Sequence, residues 1–386
     1  MKLFVQGRQS TFSILENQID KDDKTIWMHA ASLGEYEQGL PLLEQLKKTY
    51  PNYKLVLSFF SPSGYEVKKD NTPADVVVYL PMDTMENAKR FVGLLKPDLV
   101  IFIKYEIWPN FLKELKKQKI HTLLVSAIFS KRQFYFKPHG GFMRGVLKNL
   151  NHFFVQNQNS RKLLKSINFE NVSISGDTRF DRVFQILMND NKLDFMESFK
   201  GKFRCLVAGS TWPEDETLLI NYINQNTENM KFVIAPHNIK PSHIQKLKSS
   251  INKSVALYSE SEKIDFKNAQ VLIVDTIGLL TKIYSYAEIA YVGGGFATGL
   301  HNTLEPAVFG IPVIIGPKYD GFKEAKDLVK LKGVISISNK NELQNELYKL
   351  TQDDEHYQET GKINSAYINE KQGATKRVMS YINELL

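Results

Sequence analysis

The sequence predicts an α/β protein made of two Rossmann-like domains that face each other across a cleft. Three observations predict it. With 386 residues, the chain exceeds what one hydrophobic core of ordinary size organises, so two domains are the default. Short apolar runs alternate with helix-like patterns in both halves, as parallel sheets with crossover helices require. Near residue 289 an apolar run enters three glycines and then a helix-like pattern, the strand–turn–helix of many α/β ligand sites.

In the first half the expected strands are Thr25–Ala30, Lys54–Phe59, Val76–Tyr79, Leu99–Ile103, His121–Ser126 and His152–Val155, with Val172–Ile174 last. Amphipathic stretches lie between them, among them Glu37–Lys48, Met85–Leu95 and Pro109–Gln118. In the second half the expected strands are Arg204–Ala208, Lys231–Ala235, Val271–Val274, Ile289–Val292 and Ile311–Ile315. The polar run Asn189-Asp190-Asn191-Lys192 marks the boundary. We therefore expect a first domain over 1–184, a linker over 185–201 and a second domain over 202–364. A helix over 365–386 is expected to pack back toward the first domain. Two lobes of this kind hold ligands beyond the carboxyl ends of their strands.

Composition narrows the function. The single cysteine, Cys205, sits in an apolar run and reads as a buried strand residue. No disulfide framework or cysteine-rich metal site is possible within one chain. The net charge of +8 suits anionic partners. Because no zinc finger, helix-turn-helix or aromatic RNA motif accompanies it, nucleic acid is not the expected partner. No run of 18 apolar residues exists, and Met1–Arg8 lacks the apolar core of a signal peptide. Asp20-Lys21-Asp22 imitates a metal-binding triplet, but it precedes the first strand and reads as a solvated turn.

The stretch Val292-Gly293-Gly294-Gly295-Phe296-Ala297-Thr298-Gly299-Leu300-His301-Asn302-Thr303-Leu304-Glu305-Pro306-Ala307 is the most informative. Glycines let backbone N–H groups approach a ligand, and a helix N-terminus favours negative charge. Glu305, in the first turn of the expected helix, offers a carboxylate to a ribose diol. Together these features point to a nucleotide-sugar site. In the alternative, the glycines serve tight packing alone.

A second constellation follows the first strand, in Ala30-Ala31-Ser32-Leu33-Gly34-Glu35-Tyr36-Glu37. Glu35 begins a helix at the carboxyl edge of the sheet, where a carboxylate can act as a general base. In the alternative, it only complements the helix dipole. Reading Ser32 as a hydrolase nucleophile fails, because the elbow's first glycine is alanine and the strand is the wrong one. Glu106, in Lys104-Tyr105-Glu106-Ile107-Trp108-Pro109, follows the strand Leu99–Ile103 and reaches the same edge; it is expected to orient a loop or a sugar hydroxyl. Ser61 and Ser63 end the second strand, where their hydroxyls bind an acceptor or cap a helix. Between Ser126 and Asn149, Lys131, Arg132, Lys137, Arg144 and Lys148 interleave with Phe129, Phe134, Tyr135, Phe136 and Phe142. That mixture fits an anionic membrane surface or a phosphorylated lipid, and equally a solvated basic helix.

Assembled in order, these motifs resemble the Kdo transferases, which add 3-deoxy-D-manno-octulosonic acid to lipid A precursor. The resemblance runs nearly end to end. Its pieces include Ser32-Leu33-Gly34-Glu35, Glu106-Ile107-Trp108-Pro109, Gly176-Asp177-Thr178-Arg179-Phe180-Asp181, Val274-Asp275-Thr276-Ile277-Gly278, Val292-Gly293-Gly294-Gly295 and His301-Asn302-Thr303-Leu304-Glu305-Pro306-Ala307.

The resemblance implies a GT-B fold with an N-terminal acceptor domain and a C-terminal CMP-Kdo domain. It implies an inverting, metal-independent transfer with no cofactor, in which Glu35 takes the proton from the primary hydroxyl of lipid A precursor (lipid IVA). Ser32, Gly34, Ser61, Ser63, Glu106, Lys131 and Arg132 would serve the acceptor side. On the donor side, Ile277, Gly278 and the turn Gly293, Gly294, Gly295 would stabilise the departing phosphate, with Ser210, Thr211, His237 and Lys323 as further candidates. Asn302 and Glu305, flanked by His301 and Thr303, would hold the ribose. The expected location is the cytoplasmic face of the inner membrane, against its anionic surface. The resemblance also implies a membrane-anchoring helix ahead of Gly7-Arg8; this chain is expected to lack it and to be soluble or peripheral.

Three positions depart from the family pattern: Lys104 where an acidic residue is common, Pro236 and Asn238 beside His237, and Gly321 where asparagine is common. Two other readings share the architecture. One is another GT-B nucleotide-sugar enzyme, a glycosyltransferase or an epimerase. The other is a two-lobed ligand-binding protein without catalysis.

Overall fold

The computed structural model describes residues 7–260, 266–297 and 299–386. Residues 1–6, which carry most of the segment read for a signal peptide, and Thr298 of the glycine stretch lie outside the described residues. The chain forms two compact units, Met1–Arg182 with Lys371–Leu386, and Val183–Glu370.

Among the described residues the first unit holds seven strands: β1 Thr25–Ala30, β2 Lys54–Phe59, β3 Val76–Tyr79, β4 Leu99–Ile103, β5 His121–Ala127, β6 His152–Val155 and β7 Val172–Ile174. They form one sheet in the order β3-β2-β1-β4-β5-β6-β7, and every pair is parallel. Parallel strands covered by helices on both faces bury every side chain, so they read as unbroken apolar runs. All five residues of β4 are fully buried. On one face Trp27 packs against Phe91, Phe102 and Phe111, with ring centroids 4.9, 5.4 and 5.8 Å away. On the other, Ile26 and Met28 share a core with Leu42 and Leu43 of the helix Leu33–Thr49 and with Val378 and Ile382 of the terminal helix Ala374–Asn383.

That terminal helix is fixed by the motif at 176–181. The Asp181 carboxylate accepts the backbone N–H groups of Gly373 and Thr375, each at 2.6 Å. Gln38 donates to Asp177 at 2.8 Å, and the Thr178 hydroxyl pairs with Ser126 at 2.8 Å. This family-like motif therefore ties chain segments together within the first unit.

The second unit repeats the plan with β8 Arg204–Thr211, β9 Met230–Pro236, β10 Val255–Leu257, β11 Val271–Ile273, β12 Ile289–Val292, β13 Val313–Ile315 and β14 Val334–Ser336. Their order is β10-β11-β9-β8-β12-β13-β14, again all parallel. The stretch 185–201 is largely helical: the helix Asp194–Lys200 buries Met196 and Phe199. It is tied to the second unit by Leu193 N–H to the Tyr286 hydroxyl at 2.8 Å and by Lys200 to Glu288 at 2.7 Å.

Three expectations change. Strands β10 and β14 were not foreseen. The strand expected from Ile311 begins at Val313, after Pro312, which has no N–H to give the ladder. The helix expected from about Asn302 is a single turn, Leu304–Ala307, closed by Gly310 at φ +68°. So short a helix carries little dipole, which weakens the anion argument made from its N-terminus.

The first sheet reverses its winding direction between β1 and β4, and in the second the two halves part between β8 and β12. The carboxyl ends of these strands border a crevice, the ordinary ligand position in such sheets. Both sets of candidate residues fall there.

Candidate functional site

In the first unit Glu35 stands in the first turn of the helix that follows β1. Its carboxylate accepts a short hydrogen bond from the Ser32 hydroxyl. On its other oxygen it meets the ammonium of Lys104 at 3.4 Å. Lys104 directly follows β4, the strand next to β1, in a left-handed conformation (φ +70°) that is rare for a residue with a side chain. Its ammonium also lies 5.0 Å from the centre of the Tyr105 ring. Burial raises the pKa of Glu35, but the Ser32 hydrogen bond, the Lys104 charge and a backbone N–H act more strongly together, and the net shift is downward. Glu35 is thus an ionised, half-buried carboxylate with two fixed partners. Gly34 is exposed, and a Cβ there would meet only Ser32 Oγ at 3.8 Å, so the surface beside Glu35 is open.

Glu106 lies one turn beyond Lys104. Its Oε2 accepts the Trp108 indole N–H at 3.0 Å and faces His29 Nε2 at 3.5 Å. The loop after β2 is tied to this edge because Phe60 and Ser61 both donate to the Ala31 carbonyl, at 3.1 and 2.7 Å. Ser61 caps the helix Pro62–Lys68 through the Ser63 N–H, and the two serine hydroxyls pair at 2.9 Å. Their geometry is that of a cap. Lys131 and Arg132 are exposed, as are Phe134 (48 %) and Phe142 (73 %). Arg144 is instead spent on the loop itself, donating to the carbonyls of Tyr135 and Lys137 at 3.0 and 2.8 Å.

In the second unit the glycine turn follows β12. Gly294 has φ +92°, a conformation open to glycine. A Cβ on Gly293 would come 2.4 Å from the Ser210 carbonyl oxygen, and one on Gly295 would come 2.8 Å from Gly316. The N–H groups expected to face a phosphate are partly committed elsewhere. Gly293 N–H donates to the Gly209 carbonyl at 2.9 Å and Gly294 N–H to Asp215 at 2.8 Å.

Asp215, which the sequence did not single out, organises this edge. It is fully buried and also accepts from the Tyr291 hydroxyl at 2.7 Å and the Trp212 N–H at 2.9 Å. Burial, with the Asp215 charge, pushes the Tyr291 phenol far above its usual range. An aspartate three residues into a helix after Trp212-Pro213 is a recognisable back-bonding position and was the available signal. Nearby, Trp212 donates its indole N–H to His301 Nε2 at 3.1 Å and stacks on His237 at 4.6 Å. Burial, with the neighbouring His237, lowers the pKa of His301. That imidazole is a neutral acceptor at Nε2.

Glu305 is held from both sides, by the Thr281 hydroxyl at 3.2 Å and the Asn302 amide at 3.0 Å, while Asn302 Oδ1 accepts Leu304 N–H at 3.1 Å. Thr303 is buried in the same turn. Ser210 sits at φ +53° at the end of β8. The Thr211 hydroxyl is committed to Glu216 at 3.1 Å. Ile277 is 84 % exposed, and Gly278 (φ +98°) has open space around it; Asp275 at the base of that loop accepts both N–H and hydroxyl of Ser259. Lys323 is exposed and ion-paired with Asp327 at 2.5 Å. No three His, Cys, Asp or Glu side chains group as metal ligands among the described residues. Asp20 and Asp22 sit in an exposed turn closed by Asp20 N–H on Asp23. No described helix is long and apolar enough to cross a membrane.

Residues 6–182 match the family described as 3-deoxy-D-manno-octulosonic-acid transferase. The chain is 28 % identical over 333 residues to the 3-deoxy-D-manno-octulosonic acid transferase of Rickettsia typhi, covering 84 % of this chain and 71 % of that one. It is 26 % identical over 378 residues to the transferase of the same name from Haemophilus influenzae, covering 94 % and 87 %. Among solved structures it resembles the UDP-GlcNAc 2-epimerase of Neisseria meningitidis bound to UDP-GlcNAc (TM-score 0.65, 15 % identity, 93 % of this chain and all of that one). At that identity the likeness speaks to fold alone, two Rossmann-like domains.

Proposed function

We propose that this chain is a 3-deoxy-D-manno-octulosonic acid (Kdo) transferase, a GT-B glycosyltransferase of lipopolysaccharide biosynthesis, as its family match over residues 6–182 and its curated relatives support, and that it moves Kdo from CMP-Kdo to the primary hydroxyl of lipid A precursor. The observation that carries the mechanism is Glu35, an ionised carboxylate at the switch point of the first unit. In this scheme Glu35 takes the proton of the acceptor hydroxyl as its oxygen attacks the anomeric carbon of Kdo. The bond from that carbon to the phosphate oxygen breaks, and CMP leaves with the electron pair. One displacement with one base inverts the anomeric centre and needs no covalent intermediate.

The second unit holds the donor. Glu305, oriented by Thr281 and Asn302, accepts from the ribose hydroxyls. The developing charge on the phosphate is met by preorganised donors, for which the open Ile277–Gly278 loop is better placed to serve than Gly293 or Gly294. His237, His301 and Ser210 border the same strand ends; Thr211 supports them through Glu216. Lys323 contributes only by leaving Asp327. None of these steps calls on a metal ion or another cofactor. On the acceptor side we assign Glu106 to a sugar hydroxyl and Ser32 and Gly34 to the surface beside the base; Ser61 and Ser63 shape the rim. Lys131, Arg132, Lys137, Phe134 and Phe142 present cations beside exposed rings, a composition that favours an anionic inner-membrane surface on its cytoplasmic face.

The test is transfer from CMP-Kdo generated in situ to tetraacylated lipid A precursor, read by mass spectrometry with and without EDTA. We expect a product heavier by one or more Kdo units and unaffected by EDTA. No product, together with turnover of a UDP-sugar, would favour another GT-B nucleotide-sugar enzyme. For Glu305→Ala we expect CMP to bind about tenfold more weakly or worse, since hydrogen bonds to a charged group are being lost. An unchanged Kd would remove Glu305 from the ribose site.

A further inference from the structure

His29 lies in the middle of this edge with no role in the scheme above. It is fully buried, boxed edge-on by Phe102 at 5.8 Å and Trp108 at 5.7 Å. Its Nδ1 meets the Ser58 hydroxyl at 2.8 Å, directly across the β1–β2 pair. Ser58 Oγ also receives the Trp27 indole N–H at 2.7 Å. His29 Nε2 is buried, has no hydrogen-bond partner among the described residues, and faces Glu106 Oε2 at 3.5 Å.

The donors and acceptors decide the tautomer. An indole N–H can only donate, so Ser58 Oγ accepts from Trp27. The serine hydrogen then needs an acceptor, and among the described residues His29 Nδ1 is the one recorded for it. Nδ1 is thus the lone-pair nitrogen, and Nε2 carries the proton. The reverse tautomer would aim a lone pair at a carboxylate and strand the serine hydrogen in the core, which is costly. At 3.5 Å the Nε2–Oε2 contact is longer than a hydrogen bond, but bonds of this kind often tighten when the substrate seats.

We propose that His29 is a positioning residue for Glu106: its Nε2–H and the Trp108 indole hold Oε2 inward, so that Oε1 is presented to a hydroxyl of the acceptor. Trp27 and Ser58 set the tautomer that makes this possible. This rests on the acceptor role given to Glu106 above, and its test includes a reading that does not.

The direct measurement is a long-range proton–nitrogen spectrum of the full-length protein labelled with ¹⁵N-histidine, with the His29 ring assigned by its loss in His29→Gln. We expect a protonated Nε2 and an unprotonated Nδ1, and a shift of the Nε2 resonance in Glu106→Gln. A protonated Nδ1, or an Nε2 signal unmoved by Glu106→Gln, overturns the proposal whatever the reaction is. Kinetics supply the second arm. Gln places an amide N–H near the Nε2 position, so His29→Gln is expected to keep kcat within a few-fold. His29→Phe fills the space without a donor and is expected to lose about tenfold in kcat/KM for the acceptor, with CMP binding unchanged. Equal losses in both would show mere packing. Should His29→Phe not fold, Ser58→Ala serves: it is expected to mix the two tautomers and lower kcat/KM for the acceptor, and a single Nε2–H tautomer in that variant would refute the relay. A wild-type protein that shows the expected tautomer but transfers no Kdo would count against the reaction and not against the relay.

Discussion

Replacing Glu35 by glutamine is expected to leave a folded protein that binds CMP normally and transfers Kdo about 10²–10⁴-fold more slowly, the range that a positioned general base contributes. Glutamine keeps the length of the side chain and an oxygen for the Ser32 hydroxyl, so the loss reports the missing base and not a collapsed turn. The pH profile gives a second reading. Burial raises the pKa of Glu35, and the Ser32 hydrogen bond, the Lys104 charge and a backbone N–H together lower it further than burial raises it. The base is therefore ionised at and above its lowered folded pKa. The acid limb of kcat/KM should lie below the ordinary carboxylate range. The same shift makes a stabilising contribution that is present above the unfolded pKa and is lost as pH falls through the folded one. Lys104→Met removes the lowering influence of the ammonium and leaves burial in place, so the acid limb should move to higher pH. A limb unmoved in Lys104→Met would mean that Glu35 is not the titrating base. Wild-type transfer by Glu35→Gln would remove it from catalysis altogether.

Lys104 shows how far the sequence could be read. The buried strands were legible because parallel strands are apolar on both faces, and Leu99–Ile103 is apolar throughout. Glu35 was legible from its place just after a strand. Its partner lies 69 residues away, and the two meet only because β1 and β4 are neighbours where the sheet reverses. No local pattern encodes that adjacency. Strands β10 and β14, each three residues at a sheet edge, were missed, although the equally short edge strand β7 was found. His29 was read as part of a strand, because a histidine whose partners come from β2 and from the loop after β4 looks like any other strand residue in one dimension. The glycine run was found at once, but the acceptor of the Gly294 N–H was not, since it lies 79 residues earlier.

That acceptor, Asp215, carries the second large effect. Its Oδ2 takes the N–H groups of Gly294 and Trp212 and its Oδ1 the Tyr291 hydroxyl, and Asp215 itself is fully buried. Asp215→Ala leaves three donors without an acceptor and opens a hole against which Gly293 now packs closely. We expect a loss of about 3–5 kcal/mol in stability, at the upper end for a single substitution. Asp215→Asn is expected to lose less. An amide has one oxygen and turns its N–H groups toward one of the donors, so it satisfies at most two of the three. Urea unfolding measures the loss, and hydrogen exchange at the Gly294 amide locates it: protection there should fall by more in the alanine variant than at the centres of β8 and β12. Wild-type stability in Asp215→Ala would mean that water or a shifted side chain replaces the carboxylate at no cost. CMP affinity should fall in step with Gly294 protection, because Asp215 holds the turn and does not face the ligand. Lost affinity with an unchanged unfolding curve and an unchanged Gly294 amide would instead make Asp215 a contact of the nucleotide itself.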